Sequence, residues 1–167
     1  EMPVQYTSIM EEHTAVREAA GLFDISHMGE VAVAGDAAEG FLNHVLTNDV
    51  SKLADWEGQY TQLCNESGGV IDDLYVYRLG STSFLLVINA SRIESDTAWL
   101  AQREKDFEKA PEASLECSLD ESDSWAGLAL QGPRAADCLK LCGPELGDAF
   151  SAVTEATELK KNQFAMF

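Results

Sequence analysis

Gln59-Tyr60-Thr61-Gln62-Leu63-Cys64, Asn65-Glu66-Ser67-Gly68-Gly69 and Val70-Ile71-Asp72-Asp73-Leu74-Tyr75-Val76-Tyr77-Arg78-Leu79 follow one another in the middle of the chain. The first run alternates, the second is made of turn formers and the third returns through strand formers, a pattern that predicts a β-hairpin. Gly80-Ser81-Thr82-Ser83 then turns the chain into Phe84-Leu85-Leu86-Val87-Ile88-Asn89. Three consecutive antiparallel strands are therefore legible from local pattern alone.

Outward from the hairpin, helical and strand signals alternate. Ser8 and Glu11 have the spacing of a capping box, and Ile9, His13, Val16, Arg17 and Ala20 recur at helical intervals up to Gly21, which reads as a C-terminal stop. Leu22 to Val33 is rich in strand formers and reads as one strand, closed by a turn at Gly35-Asp36. Asp36 is placed to cap a helix over about Ala37 to Leu46, whose Phe41, Leu42, Val45 and Leu46 form an apolar stripe. A further helix is expected from about Arg92 to Lys109, with Trp99 and Leu100 inward and Pro111 as its stop. Strands over 113–119 and 125–130 follow, and Gly132-Pro133 opens a short helix to about Leu141. The predicted class is α+β, antiparallel sheets flanked by helices, without internal repeat or low-complexity linker.

The 167 residues carry 11 Lys and Arg against 29 Asp and Glu, a formal net charge of −18. That surplus opposes phosphate backbones and anionic membrane surfaces, so neither nucleic acid nor membrane is an expected partner. Apolar residues at 46% suffice for a packed core in one domain or two small lobes. The longest apolar run, Phe84 to Ile88, is strand-sized and too short to span a bilayer. The charge also predicts a salt effect, because added ions screen self-repulsion among carboxylates. The melting temperature is expected to rise from low to high potassium chloride; a flat response would show that the carboxylates are already compensated.

Cys64, Cys117, Cys138 and Cys142 have no CxxC pairing, which predicts reduced thiols, no zinc and no disulfides. The start at Glu1 is not an initiator methionine and shows no signal-peptide pattern, as expected of a trimmed chain or a fragment in a cytosol-like compartment. His13, His27 and His44 are scattered, so no metal site is expected, and neither GxGxxG nor GxxxxGK[ST] is present to cradle a phosphate.

Asp72-Asp73 is the feature with chemical content, because it interrupts an otherwise apolar strand. Successive strand side chains face opposite ways, so one carboxylate shares the side of Ile71 and the other the side of Val70 and Leu74. An inward carboxylate must be paired, hydrogen-bonded or used by a ligand; an acidic pair near a hairpin turn or sheet edge is the alternative. His27 and Met28, read as lying mid-strand before Gly29, suit either close approach of a ligand or core packing. Asn89 at a strand end suits either a planar heterocycle or capping of the following turn.

Taken together, Met2-Pro3-Val4-Gln5-Tyr6, Leu22-Phe23-Asp24-Ile25-Ser26-His27-Met28-Gly29, Asn65 through Leu74, Val87-Ile88-Asn89-Ala90 and Ala129-Leu130-Gln131-Gly132-Pro133 resemble the aminomethyltransferase family, the T-protein branch of the glycine cleavage system. The resemblance implies a folate-binding domain and transfer of an aminomethyl group from the dihydrolipoyl arm of H-protein to tetrahydrofolate, giving 5,10-methylenetetrahydrofolate and ammonia. Tetrahydrofolate is then the co-substrate, lipoylated H-protein the partner, and the compartment cytoplasmic, or the mitochondrial matrix in a eukaryote. It places the catalytic carboxylate on Asp73, which orients the pterin and stabilises the cationic iminium formed on loss of ammonia. Met28, Tyr60, Asp73, Val87 and Asn89 match positions that line the folate pocket. Trp56 stands where a small turn residue is more typical.

The resemblance covers residues 1–167 as an incomplete folate-binding domain. The family's preceding segment, its later acidic and arginine folate contacts and its C-terminal barrel have no counterpart in this sequence, so these residues alone are expected to be inactive. The runner-up is a non-catalytic folate-binding relative of the iron–sulfur maintenance type; such relatives generally lack the Asp-Asp hairpin.

Overall fold

The computed structural model describes residues 3–119, 126–142 and 157–159. The chain forms two units. The first contains helix α1 (Ile9–Glu18), strand β1 (Gly21–Asp24), strand β7 (Leu128–Gln131) and helix α4 (Ala135–Cys142). Here β1 and β7 pair antiparallel, Gly21 opposite Gln131. Ser8 caps α1 through the Glu11 N–H, as its spacing predicts, while Glu12 reaches back to the Thr7 N–H at 2.8 Å. The helix ends at Glu18, and Gly21 opens β1 instead of stopping α1.

The second unit holds everything from β2 to β6: β2 (Gly29–Ala34), α2 (Ala38–Val45), β3 (Gly58–Cys64), β4 (Val70–Gly80), β5 (Ser83–Ile88), α3 (Ile93–Asp106) and β6 (Glu116–Leu119). The five strands form one antiparallel sheet in the order β3-β4-β5-β2-β6. The three strands predicted around the hairpin are thus consecutive in space as in sequence. Asn65 shapes the β3–β4 turn, its Oδ1 accepting from the Ser67 N–H at 3.0 Å and the Gly69 N–H at 2.8 Å. One residue beyond that turn the register slips, because Leu63 pairs with Asp72 and Cys64 with Val70. Ile71 is the extra residue of this bulge, and the Arg92 guanidinium donates to its carbonyl at 3.1 Å.

One face of the sheet is the core. Val31, Val33, Leu63, Leu74, Val76, Phe84, Leu86 and Ile88 meet Phe41, Leu42 and Val45 of α2 and Leu100 of α3 there. Arg78 shares this face, held over the Phe84 ring at 4.7 Å, ion-paired with Glu39 and donating to the Val50 carbonyl at 3.2 Å. The opposite face carries Tyr60, Asp73, Tyr75, Tyr77, Leu85 and Val87, all half-buried or exposed.

The α+β class with antiparallel sheets and helices holds, but several local readings do not. Leu22 to Val33 is not one strand: the Asp24 carboxylate accepts from the Ser26 N–H at 3.0 Å, an Asx-type turn that diverts the backbone and sends β1 and β2 to different sheets. His27 and Met28 therefore lie in the turn and bend before β2, not mid-strand. Gly29 is needed by the core, since a Cβ there would come 2.7 Å from both Ile88 and Ile93 side chains. Asp36 does not cap α2; its carboxylate and N–H engage the Ser114 hydroxyl, and Ala37 holds the cap position. Beside it Gly35 adopts φ +118°, with the Ser114 carbonyl oxygen 2.3 Å from where a Cβ would stand. Finally, α3 ends at Asp106 because Phe107 turns extended and packs edge-on against Phe41, ring centroids 5.5 Å apart. The strands read over 113–119 and 125–130 are shorter or shifted, at 116–119 and 128–131, and residue 125 lies outside the described residues.

Candidate active site on the open face of the sheet

The register of β3 to β5 brings Tyr60, Asp73 and Val87 into two neighbouring rows. Tyr60 pairs with Tyr75, Tyr75 with Val87, and Val87 with Glu30. Gln62 and Asp73 form the next pair on the same face, while Met28 and Asn89 lie just beyond the ends of β2 and β5, beside the Gly29–Ile88 pair. Tyr60, Asp73 and Val87 thereby share one sheet face, with Met28 and Asn89 at the adjoining strand ends. The face is the one α2 and α3 do not cover.

Of the acidic pair, Asp72 is the inward member, 8% exposed and on the core side with Leu74 and Val76, while Asp73 is half-buried on the open side. The Tyr60 hydroxyl donates to Asp73 Oδ2 at 2.7 Å. That hydrogen bond, followed by partial desolvation and the charge of Asp73, raises the Tyr60 hydroxyl above its ordinary value. The Tyr60 and Tyr75 rings meet edge to face at 5.8 Å, and Tyr75 and Tyr77 stack at 5.8 Å. Asn89 ends β5 and directs its amide nitrogen to the Asp73 carbonyl at 2.9 Å and to Asp72 Oδ1 at 3.1 Å. An ionisable carboxylate, a hydroxyl and a run of aromatic faces can orient a flat heterocycle and stabilise positive charge beside it.

A family model described as the GCVT N-terminal domain matches residues 1–165. The chain belongs to this family. Among similar proteins, the aminomethyltransferase of Bacillus pumilus is 52% identical over 140 residues, 84% of this chain and 36% of the relative. That of Chlorobium phaeobacteroides is 48% identical over 145 residues, 87% of this chain and 38% of the relative. The crystal structure of glycine cleavage system aminomethyltransferase T from Bartonella henselae superposes with a TM-score of 0.71 at 39% identity, covering 85% of this chain and 37% of that one. The chain thus spans well under half the length of the relatives it matches.

Of the candidates named on resemblance, Tyr60 and Asn89 bond Asp73 and Val87 pairs with the neighbouring Tyr75, while Met28 lies in the bend before β2; the local strand pattern would have added Tyr75, two residues from Asp73 on the same face. Sequence reading missed Asp96. This residue of α3 is fully buried, its carboxyl within hydrogen-bonding reach of Asp72. Among the described residues no cluster of three or more potential metal ligands occurs, and no helix is long and apolar enough to cross a membrane. Cys64 and Cys117 are free thiols, and burial pushes Cys117 up to about 12. The side chain of Cys142 lies outside the described residues. Trp56 has φ +67°, the backbone region that favours a small turn residue.

Proposed function

We propose that the protein carrying this sequence transfers a one-carbon unit in glycine cleavage, from the aminomethyl group on the dihydrolipoyl arm of H-protein to tetrahydrofolate. The names of the relatives support the reaction class. The observation that carries the site is the Asp73 carboxylate, set on an aromatic sheet face and hydrogen-bonded by the Tyr60 hydroxyl, with Asn89 on the Asp73 backbone carbonyl. The tyrosine faces suit a pterin ring, and Asn89 supplies an amide oxygen for ring N–H donors.

In the transfer, the methylene carbon loses its bonds to the lipoyl sulfur and to the amine and gains bonds to folate N5 and N10. The two protons leaving those nitrogens end on the thiol and on ammonia. Asp73 forms no covalent bond. Its charge stabilises the positive charge that develops as the carbon changes partners, and its fixed place against Tyr60 helps to orient the acceptor. The net charge of −18 opposes the anionic glutamyl tail of folate, so holding that tail requires local cations.

The test is the full-length protein with aminomethylated H-protein. Ammonia and methylenetetrahydrofolate are expected in equal amounts and only when tetrahydrofolate is supplied. Folate binding without ammonia release, with H-protein present, would instead mark a non-catalytic folate-binding relative.

A further inference from the structure

Between β4 and α3 lie two buried carboxyl groups, Asp72 on the core side of the strand and Asp96 on the helix. Asp72 and Asp96 are 8% and 0% exposed, and the Oδ2 atom of each is buried without a donor. Two facing carboxylates cannot both stay ionised in such a place, whereas one proton between them satisfies both orphaned oxygens. The other polar groups around the pair are few. Arg92, at the start of α3, has its Nε 4.0 Å from Asp96 Oδ1, the Ser95 hydroxyl donates to the same oxygen at 3.2 Å, and Asn89 reaches Asp72 Oδ1 from the end of β5. Asp73 lies on the other face. Two carboxyl groups, one shared proton and one guanidinium sum to zero charge, which is the state that burial favours.

The Asn89 carboxamide is the outlet of this arrangement. Both of its contacts, Asp72 Oδ1 and the Asp73 carbonyl, are acceptors, so only the NH2 group can serve them and the amide cannot be flipped. Its Oδ1 takes part in neither contact. We propose that Asp96 is a positioning residue: by sharing one proton with Asp72 it fixes the Asn89 amide with nitrogen inward and oxygen presented to a ligand on the open face. The ligand half of this inference rests on the folate reading above; the proton-sharing half does not.

The titration directions agree with the geometry. Burial raises Asp96, and the hydrogen bond and charge of Asp72 add to it, bringing it to about 7. Burial also acts to raise Asp72, but hydrogen bonds from Asp96, from the Asn89 side chain and from the Asp73 and Asn89 amides outweigh it and hold Asp72 below the usual carboxylate range. With its folded-state value raised, Asp96 keeps in the folded chain a proton that the unfolded chain releases. Its contribution to stability is present at low pH and is lost as pH rises through about 7.

The experiment uses the full-length protein and three readouts. Carboxyl carbon NMR of the unliganded wild type should show one aspartate of the pair titrating near neutrality and the other well below; two ordinary acidic titrations would overturn the inference without any variant. Asp96→Leu should shift the Asn89 side-chain amide resonances and raise KM for tetrahydrofolate about tenfold with kcat within about threefold. Asp96→Asn, which keeps a donor for Asp72, should restore both and remove the near-neutral loss of stability. Equal effects of the two variants on KM, or an Asn89 amide unmoved in Asp96→Leu, would overturn the proposal. Wild-type protein with the paired titration but no tetrahydrofolate binding would remove the ligand half and the folate reading, leaving the proton sharing in place.

Discussion

Asp73→Asn in the full-length protein is expected to lower kcat by about a hundredfold or more, the scale seen when one preorganised electrostatic partner of a developing charge is lost. Asn keeps the shape of the side chain and its place opposite Tyr60, and position 73 is half-buried on the open face, outside the core, so the fold should survive. What disappears is the negative charge. An optical titration provides a second readout that does not depend on turnover. Tyr60 keeps its proton to higher pH because it donates to Asp73 and lies near that charge; in the variant its ionisation should move down toward the ordinary 10.0. Asp72→Asn changes a carboxyl on the other face and should affect kcat far less. Similar losses of kcat from both substitutions, in folded protein, would take the catalytic role away from Asp73.

Phe84→Ala is expected to be the most damaging change to the second unit, costing about 3–5 kcal/mol of stability by loss of buried area and creation of a cavity. Phe84 is fully buried in the middle strand of the sheet, paired with Arg78 on one side and Val33 on the other. Its ring is also the platform of the buried Arg78 guanidinium at 4.7 Å. Phe84→Leu keeps most of the volume but not the aromatic face, so its own cost reports mainly the contact with Arg78, and the further loss in Phe84→Ala reports the cavity. Urea unfolding would measure both. A cost below about 1 kcal/mol for the alanine variant would mean that the surrounding core collapses into the space.

The contrast between what was legible and what was not follows the range of the signals. The hairpin from Gln59 to Leu79 is specified by alternation and by Asn65 and the glycines of its turn, all within a few residues of each other. The break between β1 and β2 was hidden because both segments are rich in strand formers, and the choice of sheet is made by β7, about a hundred residues later. Asp36 has the right type and place for a cap, yet Ser114 takes it. Alternation put Asp72 and Asp73 on opposite faces but could not say which face the helices would cover. Asp96 gave no signal at all. It lies among Glu94, Ser95 and Thr97, and its partner Asp72 is far behind it in sequence. For Met28, Tyr60, Val87 and Asn89, local pattern supplied at most ambiguous hints, and only resemblance joined them to Asp73; the sheet register puts Tyr60, Asp73 and Val87 on one face, with Met28 and Asn89 just beyond the ends of β2 and β5.

The position of β2 in the strand order has a consequence for synthesis on the ribosome. β3, β4 and β5 can zip together as each leaves the exit tunnel, whereas β2 is made before any of its neighbours exists. Its partner in β6 emerges late, Ala34 pairing with Glu116 roughly 80 positions downstream, a wait of about 4 to 16 s at about 5–20 residues per second. Throughout that interval Val31 and Val33 belong to a strand with an open edge, the kind of edge that pairs with another nascent chain. Chaperone demand during translation should therefore peak after β2 has emerged and fall once β6 has cleared the tunnel.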